Sequence, residues 1–143
     1  METKDDTSRV PDSCVVHFFL DTAHMAFCCQ DPVPFAKDAM DRVGHVHLKD
    51  IRLDMVEPVL RREVSLMAAT QAGIFTPLGQ GDVDIMGVVQ TLERAGYDGW
   101  YVIEQDTAIT DGLPGEGEGP LHEVTTSLQY LVEKVAPTLD SPS

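Results

Sequence analysis

Two periods of apolar and polar positions alternate along this chain. Residues 14–20, CVVHFFL, form a short apolar run rich in β-branched and aromatic side chains. That is the pattern of a strand buried on both faces, as in parallel sheets. Asp31-Pro32 supplies a capping residue followed by Pro at the first helical position. Phe35, Ala36, Ala39, Met40 and Val43 then mark one helical face. A second strand is predicted over residues 43–48. Asp54 and Glu57 have the spacing of a capping box for a helix running towards Ala72-Gly73, with Pro58 early enough to be tolerated. Residues 75–82, FTPLGQGD, read as a loop. Asp84 is placed to cap a helix with Ile85, Val88, Val89 and Leu92 at i, i+3, i+4 and i+7 and Gly96 as its stop. Residues 100–103 form a third predicted strand and 111–120, DGLPGEGEGP, a flexible loop. Val124, Leu128, Leu131, Val132 and Val135 mark a last amphipathic helix. Residues 1–13 are expected to be frayed and 137–143 to be a loose tail, leaving one folded unit over 14–136.

The order β-α-β-α-α-β-α predicts an α/β fold, a parallel sheet with right-handed crossovers. Three strands cannot close a barrel, which needs about 250 residues in its (β/α)8 form. The pattern therefore leaves two architectures, a small open sheet or part of a barrel.

Composition adds exclusions. Of 143 residues 43% are hydrophobic, an ordinary globular share. The formal net charge is −14, which repels phosphate backbones and anionic headgroups, so nucleic acid and membrane surfaces are poor partners. No apolar run approaches the ~20 residues that span a bilayer, and METKDDTSR lacks the apolar core of a signal peptide. A cytoplasmic location is the expectation. Cys14, Cys28 and Cys29 are odd in number and two are adjacent, which predicts reduced thiols rather than a disulfide framework.

Each predicted strand ends in a potential metal ligand: Asp21 in LDTAH, His47 in GHVHLKD and Glu104 in WYVIEQD. Strand alternation puts His17, Phe19 and Asp21 on one face, with His45 and His47, and with Val102 and Glu104, on the corresponding faces of the other strands. Functional sites of parallel α/β folds lie at such carboxyl ends. One imidazole and two carboxylates suit Mn²⁺, Co²⁺, Mg²⁺ or Zn²⁺. Strand-end acids also serve as salt-bridged structural groups, so the residue pattern alone leaves both roles open. His17 and His45 lie deeper and read as core histidines. Asp50 and Arg52 fit an ion pair or a substrate contact. Gly79-Gln-Gly81 lacks the lysine of a phosphate loop and reads as a tight turn.

In the order LDTAH, RVGHVHLKDIR, AGIFTPLGQGDVD and AGYDGWYVIEQD, these segments resemble the last third of the inosose dehydratases, within the xylose-isomerase-like barrel superfamily. The resemblance covers about residues 15–135. It implies three βα units corresponding to barrel strands six to eight, with Asp21, His47 and Glu104 as ligands of a divalent metal, Mn²⁺ or Co²⁺ foremost. A fourth ligand, a Glu on strand five, belongs to the segment of the family that this chain does not match. The resemblance further implies His24 and Lys49 as catalytic and substrate-binding residues beside Glu104, and Arg52 is retained as a candidate substrate contact. The implied reaction is dehydration of a keto-inositol, with a related sugar isomerase or epimerase as the alternative. A third expectation is a non-catalytic fragment, either a truncated gene product or a subunit that completes its barrel with another chain, with a homo-oligomer or a complementing N-terminal half-barrel chain as the expected partner.

Overall fold

The computed structural model describes residues 16–110 and 112–139. Its centre is a parallel sheet of β1 (Phe18–Asp21), β2 (Val43–Leu48) and β5 (Tyr101–Ile103), in the order β1-β2-β5. Leu20 aligns with Val46 and Asp21 with His47, while Val46, His47 and Leu48 align with Tyr101, Val102 and Ile103. A register irregularity falls between Phe18 and Phe19. The strand expected from residue 14 is shorter, since 16 and 17 lie outside the ladder and 14–15 lie outside the described residues.

Alternation decides which face is covered. Leu20, Val46 and Leu48 are buried on the side packed by helices, whereas Phe19 on the other side is 54% exposed. The helical layer contains α2 (Pro32–Asp38) and α5 (Ile85–Arg94), which pack on each other. Both start as their sequences predict. Asp31 Oδ1 accepts from Val33 N with Pro32 in the first turn, and Asp84 Oδ1 accepts from Gly87 N. Ile85, Val88, Val89 and Leu92 all face the core, each such side chain contributing about 1.5–3 kcal/mol when fully buried. Gly96 ends this segment at φ +80°, a conformation glycine adopts without steric cost.

Four expectations need correction. The helix predicted from Asp54 is broken. A 3₁₀ turn (Leu53–Met55) leads into α3 (Val56–Leu60), and α4 (Leu66–Gln71) starts afresh with Ser65 Oγ capping Ala68 N. No capping box forms, because Asp54 accepts from Arg52 while Glu57 pairs with Arg61 along the helix. Residues 75–76, expected in a loop, form β4 (Phe75–Thr76), antiparallel to β3 (Asp50–Ile51). Finally, α6 (Pro120–Tyr130) buries Ser127 and leaves Leu128 exposed. Ser127 Oγ accepts from Leu78 N and donates to the Glu123 carbonyl, so a polar tie decides the orientation. A π-helical turn (Leu131–Val135) then brings Val135 into the core. The chain continues into α7 (Ala136–Leu139), where Gln90 Nε2 donates to Thr138 Oγ1 at 2.8 Å. The tail expected from 137 therefore starts as helix, and residues 140–143 lie outside the described residues, as do 1–15. A six-residue helix unforeseen in the sequence, α1 (Thr22–Phe27), follows β1 directly.

Asp50 organises the turn after β4. It is fully buried, and its carboxylate accepts from the backbone N–H groups of Ile51, Gly79, Gly81 and Val83 at 2.9–3.0 Å. Burial pushes its carboxyl above the ordinary 3.8, against the opposing pull of those four donors. It makes no pair with Arg52, which bonds Asp54 instead. Gly79, at φ +80°, also leaves room for the Tyr130 ring that a side chain there would strike. Asp50→Asn is expected to destabilise the fold by about 2–4 kcal/mol, because an amide offers one acceptor atom and turns an NH₂ towards backbone donors. Urea unfolding followed by circular dichroism measures this.

Candidate metal centre

The aligned register carries three ligand types to one end of the sheet. Asp21 and His47 are Cα partners, His47 and Val102 are partners, and Glu104 lies two residues past Val102 on the same face. One ligand atom from each of Asp21, His47 and Glu104 lies within 4.8 Å of the others.

Each side chain is held by its own element. Asp21 caps α1, with its Oδ1 accepting from His24 N at 2.8 Å. Its other oxygen, Oδ2, is buried without a hydrogen-bond donor. His24 Nδ1 stands 2.7 Å from that oxygen but out of line for a hydrogen bond, and the His24 side chain is largely exposed. Thr22, fully buried, clamps the tips of β1 and β2 together. Its hydroxyl donates to the Lys49 carbonyl at 2.6 Å and accepts from Lys49 N at 2.9 Å. The Phe19 ring lies edge-on to the His47 ring, centroids 4.3 Å apart, and stacks on that of His45.

Glu104 divides its two oxygens. Oε2 pairs with His47 Nδ1. Oε1 accepts from Lys49 Nζ at 2.7 Å, and the same ammonium reaches Asp106 Oδ2 at 2.7 Å. Burial raises the Glu104 pKa, but the bonds to Lys49 and His47 outweigh it and hold the carboxyl below its ordinary range. Burial likewise lowers the Lys49 pKa, and the two carboxylates more than reverse this. Both groups are charged at neutral pH.

A divalent cation fits this donor set. The buried Asp21 oxygen has no hydrogen-bond donor in line with it, and the carboxylates and imidazole are hard and borderline ligands. Asp21, Glu104 and Asp106 against Lys49 leave two negative charges, which a divalent ion balances.

The remaining predicted residues divide. His24 lines an open cleft of about 650 Å³ beside the cluster, together with Met67, Thr70, Gln105 and Thr107. Lys49 belongs to the cluster, but its side chain is 1% exposed and engaged by two carboxylates. Arg52 sits on an exposed turn and pairs with Asp54. Sequence reasoning did not single out Asp106 or Thr22. Asp106 follows a strand-end Glu at the spacing of a second inward position, which was a usable signal. Thr22 was marked by nothing in the local pattern. Cys28 and Cys29 are free and exposed, and Cys14 lies outside the described residues. No helix among the described residues is long and apolar enough to cross a membrane.

Comparison with known proteins places this geometry in a family. Residues 7–131 match the model of the xylose isomerase-like TIM barrel. The inosose dehydratase of Clostridium tetani (strain Massachusetts / E88) is 34% identical over 137 residues, covering 94% of this chain and 43% of the relative. That of Geobacillus thermodenitrificans (strain NG80-2) is 34% identical over 138 residues, 93% of this chain and 44% of the relative. That of Bacillus thuringiensis (strain Al Hakam) is 36% identical over 104 residues, covering 71% and 35%. The chain thus spans less than half the length of these relatives. Its parallel sheet and helical layer agree with the family match, and the chain belongs to the xylose isomerase-like TIM barrel family.

Proposed function

We propose that this chain forms one wall of a metal-dependent site that dehydrates a keto-inositol, with Asp21, His47 and Glu104 as metal ligands. In this reading β1, β2 and β5 stand as strands six to eight of a (β/α)8 barrel. The observation that carries it is the buried, donor-free Oδ2 of Asp21 beside the ligand atoms of His47 and Glu104. The similarity to inosose dehydratases supplies the reaction class.

When bound, Mn²⁺ or Co²⁺ supplies Lewis acidity to the substrate ketone. The protein's residues do the rest. Glu104, ionised at neutral pH, serves as the base that takes the proton from the carbon next to the ketone or orients that base. His24, on the wall of the open cleft, gives a proton to the departing hydroxyl. The C–H and C–O bonds break, a C=C bond forms and water leaves. The cleft is open enough for a small polyol.

The reading includes a partner for the open wall: the rest of the barrel, in the same polypeptide or in another chain. β1 and β5 each have one unpaired edge among the described residues. Phe19 on the inner face and Leu121, Leu128 and Val132 on α6 and the turn after it are exposed. Barrel closure pairs such edges and covers such faces.

Mn²⁺ titration by calorimetry tests the ligand set. Binding is expected to weaken at least tenfold in His47→Ala, and unchanged binding in that variant would overturn the assignment. A dehydration assay with Mn²⁺ is expected to show little turnover by the chain alone and restored turnover when an N-terminal half-barrel is supplied.

A further inference from the structure

Lys49 has an unusual position for the most water-seeking of side chains. Its ammonium is almost fully buried, and an unpaired charge there would be strongly disfavoured. It is paired twice, with Glu104 Oε1 and Asp106 Oδ2, both at 2.7 Å, and it lies over the Phe75 ring at 4.3 Å from the centroid. Its backbone is fixed as well, by the two-way bond with Thr22 Oγ1. A lysine anchored at both ends has no freedom to follow a substrate.

The consequence falls on Glu104. One of its oxygens is held by Lys49 and the other faces His47, so its carboxylate cannot rotate without losing one of the two bonds. Asp106 is what keeps Lys49 in that place from the outside. Its side chain is 48% exposed, lines the open cleft and spends one oxygen on the ammonium.

We infer that Lys49 and Asp106 are a positioning pair that fixes the Glu104 carboxylate for metal binding, a role that rests on the ligand set proposed above. Outer partners of metal ligands typically change affinity by about 10–100-fold when removed. Lys49 also tunes charge. Without it the three carboxylates would carry three negative charges, and with it they carry the two that match a divalent ion.

The test uses Asp106→Asn, which keeps the volume and alters a half-exposed side chain, so the fold should survive with its thermal midpoint little changed. Mn²⁺ affinity is expected to fall about tenfold. The comparison is repeated in 1 M salt, where the screening length is about 3 Å. A loss that persists there is positional, and a loss that vanishes shows that Asp106 acts only through its field and overturns the proposal. A metal-free readout accompanies it. The chain has four lysines, so the ammonium ¹H–¹⁵N spectrum is simple to assign. The Lys49 signal is expected to be protected from exchange in the parent chain and lost in Asp106→Asn, with a shift of the Glu104 side-chain carboxyl ¹³C resonance. If neither changes, the pair does not position Glu104. If both change while the parent chain binds no Mn²⁺, the positioning stands and the ligand reading fails.

Discussion

The candidate site depends on parallel strand register. Asp21, His47 and Glu104 are far apart in sequence, and they meet because β1, β2 and β5 align with their alternation in phase. A slip of one residue on any strand would send its ligand to the helix-covered face and push a Leu, Val or Ile to the open one. The apolar burial that fixes the register is therefore what assembles the chemistry. Leu20, Val46 and Leu48, all buried against the helical layer, hold Asp21 and His47 in place as surely as any direct contact does.

Buried polar groups complete what apolar burial leaves loose. Thr22 ties the ends of β1 and β2, Asp50 gathers four backbone donors of the turn after β4, and Lys49 joins two carboxylates. Each is costly to bury alone and is satisfied several times over. Though 27 residues separate Thr22 from Lys49, they come together at the strand ends. The strand ends are also where the irregular backbone begins, so directional bonds are needed there and ladder bonds are not available. Among the described residues three buried side-chain atoms break this rule, Oγ1 of Thr76, Nε2 of Gln105 and Oδ2 of Asp21, and the last does so in the candidate site.

Much of this was legible in the chain. The three parallel strands were visible from apolar runs, and α2 and α5 from Asp31-Pro32 and Asp84, because these signals are local, whereas the short pair β3 and β4 was not. That Asp21, His47 and Glu104 share one face was visible because alternation is a rigid rule, whereas their reading as ligands came from the family resemblance. Long-range polar choices were not visible. Nothing in the pattern of residues 120–135 says that Ser127 turns inwards to meet Leu78, so the apolar stripe predicted a face that the structure leaves partly open. The helix predicted from Asp54 to Ala72 failed because Arg52 took the capping carboxylate and the chain was interrupted at Arg62, at φ +62°. Lys49 was recognisable as a site residue, but only three dimensions show it paired with Asp106.

In the proposed site His47 ligates a divalent ion alongside two carboxylates. Electron spin echo spectroscopy of Mn²⁺ added to the chain detects nitrogen bound to the ion. Modulation from one coordinated imidazole nitrogen is expected, and it should be absent in His47→Ala. An Mn²⁺ signal with no coordinated nitrogen, or one that survives that substitution unchanged, would remove His47 from the ligand set.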